Sequence, residues 1–390
     1  MDIAGLKALA ISEVESHRQQ LSQLSLKIHT NPETSSQETQ AATWLTQLLE
    51  GKGFSIQRDF CQLPTAFKAS YGKSTPVIAV LAEYDALPKL GHACGHNLIA
   101  ASAVGAGIAC LPVIRQLGGS INVIGTPAEE LHGGKVTMVE RGGFDNIDVA
   151  MIVHPGVTNR ATTKALACIG LKVEFFGKAA HAASSPESGI NALEAMLLSF
   201  NALNSLRQHI GEKARIHGII THGGEAVNVV PAYSSAIFLV RAEDDDRLSQ
   251  LQQRVLDCFT GAATATGSRL EYQWAKVRYA PMRNNLTLAG LFSRNMRALG
   301  RRMQSPQSGV FLGSTDMGNV SQVVPSIHAF VAIATPGVLT HTPEFAAAAA
   351  SEAGNQGLLH AAKAMAMTVV DLLAEPKTIA RIKKEFEEKK

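Results

Sequence analysis

Two adjoining stretches decide how this chain folds: VIAVLA at 77–82, and the loop EYDALPKLGHACGHN that follows it at 83–97. An unbroken run of apolar residues, rather than an alternating one, marks a strand buried on both faces. The same pairing of apolar run and polar loop recurs three times: INVIG (121–125) then TPAEELHGG, VAMIV (149–153) then HPG, and HAFVAIA (328–334) then TPGVLTHTPEF. Helical stretches alternate with these runs, which predicts an α/β fold with a doubly wound, mostly parallel sheet. In such a sheet the carboxyl ends of the strands share one edge, where ligands bind. Cys94, His96, Glu129, Glu130, His154 and His341 all fall in or at the start of these loops. A thiolate, imidazoles and carboxylates are the donors that zinc prefers.

Taken singly, each of these signals has a plainer reading. Cys94 and His96 pass for a buried thiol and a capped loop histidine. Glu129 and Glu130 pass for acids at a helix start, facing its dipole, and His154 and His341 for turn residues. Coincidence at four strand ends is what favours a site. Cys94 also admits a reading as a nucleophile activated by nearby histidines. The glycine-rich TPAEELHGGK lacks the spacing of a phosphate-binding loop, which disfavours nucleotide-dependent chemistry.

The chain has 390 residues, enough for two or three domains. A net charge of +3 is too small a field for sequence-independent binding of phosphate backbones, so nucleic acid is not an expected partner. The 5 cysteines are scattered and odd in number, unlike a disulfide scaffold, which predicts a reducing, cytoplasmic setting. The opening residues carry acids at Asp2, Glu13 and Glu15 and read as a helix rather than a signal peptide. The stretch 98–114 is apolar but is ended by Pro112, short of a membrane span, so it reads as a buried helix and no membrane is expected.

Between 168 and 279 the texture changes to long alternating strands (IGLKVEFFG, ARIHGIITHGG, VVPAYSSAIFLVRAE, RLEYQWAKVRYA) with helices near 189–210 and 246–266. This predicts an inserted α+β domain that splits the first domain into 1–167 and 280–390.

Several strings together, AEYDALPKLGHACGHN, TPAEE, VHP, FFGKAAHAASSPESGINALEA, NVVPAYSSAIFLVRAE, GSTDMGNVS and HTPEF, resemble the carboxypeptidase G and aminoacylase group of co-catalytic zinc exopeptidases. Within it they look most like the amidohydrolase branch holding aminobenzoyl-glutamate hydrolase, plant auxin-conjugate amidohydrolases and the β-alanyl-lysine dipeptidase type. The resemblance implies a metal-dependent amidohydrolase carrying two divalent metal ions per chain, zinc first, with manganese or cobalt as alternatives. Its substrate would be a small molecule with a free carboxylate. It makes Cys94 the bridging ligand, with His96, Glu130, His154 and His341 completing the set. Glu129 matches the general base, and Asp85 an aspartate that supports the site. Where other branches carry the histidine of an H-x-D motif this chain has Glu83, so His96 takes that role. Asn97 departs from the aspartate usual in the auxin-conjugate type and agrees with the other two.

The inserted domain resembles that family's lid and dimerisation domain, which implies a homodimer. His181 matches a histidine that reaches a neighbouring subunit's site and stabilises an oxyanion. Asn228 and Arg241 match positions that bind the substrate carboxylate, a group suited to a guanidinium fork. Ser314 and Thr315 would line the pocket. Two rivals stand beside this reading: a catalytically silent protein of binding or assembly, and a hydrolase using Cys94 as nucleophile.

Overall fold

The computed structural model describes residues 2–305 and 313–388. In chain order its strands are β1 (Ser55–Arg58), β2 (Phe67–Gly72), β3 (Val77–Ala82), β4 (Ser120–Gly125), β5 (Val149–Gly156), β6 (Ala167–Phe176), β7 (Arg215–His222), β8 (Tyr233–Ala242), β9 (Arg269–Tyr279) and β10 (Ser326–Ala332). They form a six-stranded sheet, ordered β1-β2-β4-β3-β5-β10, and a four-stranded sheet, ordered β7-β8-β6-β9. The chain divides accordingly. One compact unit runs to Lys164 and resumes at Met282 and again at Asn319; the other is Ala165–Pro281 with a short returning stretch that ends at Gly318. That stretch is a difference from the boundary read at 280. The backbone N–H of Leu166 donates to Gly313 O at 3.0 Å, a long-range tie that no local pattern announces.

In the first unit β4, β3, β5 and β10 are parallel neighbours, in register from Ala82 opposite Gly125 to His154 opposite Phe330. All four are the apolar runs. β1 and β2 add an antiparallel edge that the apolar pattern does not reveal, because SIQR is largely exposed and FKASYG only partly buried. From β3 the chain passes to β4 on one side and β5 on the other. The crevice beyond the ends of β3 and β5 is therefore where the winding direction reverses, the place where such sheets bind ligands.

Helices cover the sheet, and one decides the position of the site. All 14 residues of His96–Ala109 are buried, so this helix fixes His96 at its first position with the rigidity of the core. The stretch read as one helix ended by Pro112 is two helices. The first ends at Cys110, and Pro112 lies in the opening turn of Leu111–Leu117, where no backbone N–H is needed. The segments His96–Leu117 and Glu352–Ala374 are long and apolar enough to cross a membrane, but 94% and 83% of their apolar windows are buried inside the protein. Helix Pro376–Glu388 follows and ends the described residues.

In the second unit the sheet is antiparallel throughout. Alternation sends Val173, Phe175, Ala236 and Phe238 to the side where helices Ala192–Arg207 and Asp245–Thr266 pack. Each helix starts on a side-chain cap, Asn191 accepting from Leu193 N and Glu194 N, and Asp244 accepting from Arg247 N.

Candidate active site

The loop after β3 turns into helix His96–Ala109 through Gly95, whose φ of +80° is open to glycine at little cost. A Cβ there would lie 2.4 Å from Pro155 Cγ, so the turn is pressed directly against the end of β5. This close approach is what brings Cys94 Sγ to 3.3 Å from His154 Nε2. On the other side of the turn, His96 Nδ1 lies 2.9 Å from Asp85 Oδ1, which orients the ring and leaves Nε2 facing the crevice. Asp85 Oδ2 accepts from Ser35 Oγ at 2.8 Å and from Glu130 N at 3.0 Å. One carboxylate thus ties the loops after β3 and β4 together.

The loop after β4 holds the paired acids. Ala128, just before Glu129, has a φ of +64°, an uncommon conformation for a residue with a side chain. Glu38 holds it there: its carboxylate accepts from Ala128 N at 2.8 Å, from Ser36 N at 2.9 Å and from Thr65 Oγ1 at 2.9 Å. His341 also has a φ of +64°. Its N–H donates to Ala93 O at 2.9 Å, which clips the C-terminal loop onto the HACGH turn. Thr342 then caps helix Pro343–Ala349. Two strained residues flanking one crevice are the kind of local cost that persists at functional sites.

Three overlapping groups of donor atoms result, each with all its atoms within 4.8 Å of one another: Cys94, His96 and His154; Cys94, Glu130 and His341; and His96, Glu129 and Glu130. The first two share the Cys94 sulfur. Buried polar atoms are nearly always satisfied, yet His96 Nε2 and Glu130 Oε1 have no hydrogen-bond partner. Both point into these groups. Divalent cations fit this donor set in chemistry, in spacing and in the unsatisfied atoms it leaves.

Burial dominates the electrostatics. It pushes the Cys94 thiol far up, so that only a bound cation or strong positive field would ionise it. Burial also drives His154 down to about 4, helped by the charge of His96, which leaves a neutral imidazole with a free lone pair. For Asp85 burial works upward, but the charge and hydrogen bond of His96, with two further hydrogen bonds from Glu130 N and Ser35 Oγ, outweigh it and hold the carboxyl at about 2. Glu83 is likewise held at about 2: burial raises it, and the Lys135 and His96 charges more than compensate.

The sequence-derived residues of the first unit, Asp85, Cys94, His96, Glu129, Glu130, His154 and His341, therefore meet in one crevice. His181, Asn228, Arg241, Ser314 and Thr315 belong to the second unit. There Arg241 Nη1 donates to Ser314 Oγ at 3.0 Å, Thr315 is buried, and His181 and Asn228 are exposed. The His181 Nδ1 atom accepts from Ala183 N and Ser184 N, each at 3.2 Å, so a neutral His181 carries its proton on Nε2. Sequence reasoning missed Glu38, Lys135 and His328, all buried. For Lys135 and His328 the available signal was a titratable residue beside an apolar run; Glu38, between Gln37 and Thr39, carried none.

Residues 79–367 match Peptidase family M20/M25/M40. The chain belongs to this family. Among M20 relatives, the Xaa-Arg dipeptidase of Mus musculus is 37% identical, over 98% of this chain and 92% of its own length. One of the chains that make up the p-aminobenzoyl-glutamate hydrolase of Escherichia coli is 31% identical, over 96% of this chain and 93% of its own. Among solved structures, a Bacillus subtilis dinuclear metal-binding peptidase of the M20 family shares the fold, with a TM-score of 0.72 at 20% identity, covering 92% of this chain and 99% of that one. This M20 protein is a metal-dependent hydrolase of amide bonds.

Proposed function

We propose that the protein hydrolyses the amide bond of N-acyl amino acids or small dipeptide-like substrates with a free carboxylate, using two divalent metal ions per chain, with zinc ahead of manganese and cobalt. The observation that carries this reading is the pair of donor groups sharing Cys94, with Glu129 beside them. The relatives support the substrate class, since one is named for Xaa-Arg dipeptides and another for p-aminobenzoyl-glutamate. In this reading Cys94, His96 and His154 hold one ion, and Cys94, Glu130 and His341 the other.

A bound divalent ion of this kind polarises a carbonyl and brings the pKa of a coordinated water to about 7. The chain's own residues supply the rest. Glu129 takes the proton of the attacking water and passes it to the leaving amine nitrogen, a transfer that typically contributes about 10² to 10⁴ in rate. Asp85 keeps the His96 ring turned with Nε2 toward the crevice. Arg241, whose Nη1 donates to Ser314 Oγ, keeps its other guanidinium N–H groups for the substrate carboxylate, and Asn228, Ser314 and Thr315 are assigned with it to substrate binding. His181, with its proton on Nε2, donates to the developing oxyanion. In a cytoplasmic homodimer His181 of one protomer would serve the crevice of the other.

The test is a hydrolysis screen of N-acyl amino acids, β-alanyl dipeptides and aminobenzoyl-glutamate with added zinc, manganese or cobalt. Chelation should abolish turnover and metal return should restore it, and Cys94→Ser should lose metal together with activity. Full metal content in an inactive Cys94→Ser protein would point instead to Cys94 as nucleophile.

A further inference from the structure

Behind His96 lies an ion pair that the proposed chemistry does not use. Lys135, in helix Gly134–Glu140, is completely buried, and its Nζ lies 2.6 Å from Oε1 of Glu83, itself 1% exposed. The other oxygen of Glu83, Oε2, lies 3.5 Å from His96 Nε2. Donor atoms bound at roughly 2.0 to 2.2 Å to one tetrahedral ion sit about 3.3 to 3.6 Å apart. Relative to His96, then, Glu83 stands at the separation of a fellow ligand. Relative to the rest it does not: the donor group around His96 comprises Cys94 and His154, and Glu83 is outside it.

We propose that Lys135 is a positioning residue that withholds Glu83 from the cation on the His96 side. The inference rests on the reading that Cys94, His96 and His154 hold such an ion. With Oε1 held by the ammonium, the Glu83 carboxylate would be kept from turning onto a bound ion, leaving room there for water. Charge points the same way. Lys135 cancels Glu83, so the Cys94 thiolate and the carboxylates of Asp85, Glu129 and Glu130 are left to match two dications. Stability alone is a poor reason to bury such a pair, since well-packed apolar side chains of similar volume usually serve as well or better.

The proposal makes signed predictions. Lys135→Met frees a carboxylate beside the ion, so zinc should be held more tightly while turnover falls. Glu83→Gln removes a negative charge 3.5 Å from His96 Nε2, so zinc should be held less tightly. The double variant restores the balance and should resemble the parent protein. The measurement is zinc release from zinc-loaded protein into excess chelator, followed by a colorimetric zinc indicator, with circular dichroism to confirm folding. One buried charge acting on a dication at this range should change release by at least about tenfold. Lys135→Met is expected slower by that factor, Glu83→Gln faster, and the double variant within about threefold of the parent. If Lys135→Met does not fold, Glu83→Gln against the double variant decides the question alone. Release at the parent rate from every folded variant would overturn the inference while leaving the metal site standing. A parent protein that takes up no zinc would overturn both.

Discussion

Replacing Gly95 by alanine tests whether the HACGH turn and the end of β5 are one mechanical unit. Two costs are set by the structure. A side chain at φ +80° incurs the left-handed penalty of about 1 to 2 kcal/mol. The new methyl would also lie 2.4 Å from Pro155 Cγ, with Phe345 Cε1 behind it at 3.6 Å, and overpacking of this kind adds about 1 to 3 kcal/mol. Pro155 is a rigid ring next to His154, so it can yield only by carrying His154 away from Cys94. Each 1.4 kcal/mol, roughly, that falls on the site rather than on the fold weakens a bound cation about tenfold. Gly91→Ala supplies the control, because Gly91 has a φ of +64° but a methyl there meets nothing nearer than Pro32 Cβ at 3.9 Å. It should show the backbone cost alone. The assay is metal content after dialysis at stepped free zinc, paired with thermal melting. Gly95→Ala should lose metal at zinc levels that keep the parent and Gly91→Ala loaded. Equal metal retention in the two alanine variants would refute the claim that this contact sets the Cys94–His154 spacing.

Other outcomes separate the remaining roles. Glu129→Gln should keep metal and fold while losing at least about 10² in turnover, because an amide accepts a hydrogen bond but takes no proton; Glu130→Gln should lose metal, and elemental analysis showing the reverse would exchange the two roles. His181→Ala and Glu129→Gln proteins, each nearly inactive, should recover activity when subunits exchange, since one crevice of the mixed dimer is then complete; exchange without recovery would place His181's action in its own chain or nowhere. Acid stability should depend on Glu15, whose carboxyl is held at about 2 against an ordinary 4.5 by hydrogen bonds from Arg18 and from Lys363. Its contribution is full above about 4.5 and is lost as pH falls toward 2, so Glu15→Gln should flatten the melting temperature over that window; an unchanged slope would sink the assignment.

The parallel strands were legible because each is a continuous apolar run, and the loops after them because chemistry-bearing residues interrupt that texture. β1 and β2 were not, since their pairing is backbone-driven and their side chains are mostly wet. Pro112 was misread as a stop because proline is as welcome in the first turn of a helix as it is unwelcome inside one. In the site, residue types alone pointed to Cys94, His96 and His341. What spacing along the chain does not carry is the left-handed backbone at Ala128 and His341, or the Glu38 carboxylate that holds Ala128 in place. Lys135 looked like the end of a glycine loop. Only the fold reveals that it points inward to Glu83.

The clip between His341 N and Ala93 O has a consequence for how the molecule is made. During synthesis Cys94, His96, Glu130 and His154 leave the ribosome long before His341, with the whole stretch Ala165–Pro281 emerging in between. The group of Cys94, His96 and His154 is complete in chain terms once β5 exists; the group of Cys94, Glu130 and His341 waits for β10 and the loop beyond it. Vectorial synthesis thus imposes an order of assembly on the two halves of the crevice, and a nascent chain cannot close the second half, or become competent for turnover, before nearly all of the polypeptide has been delivered.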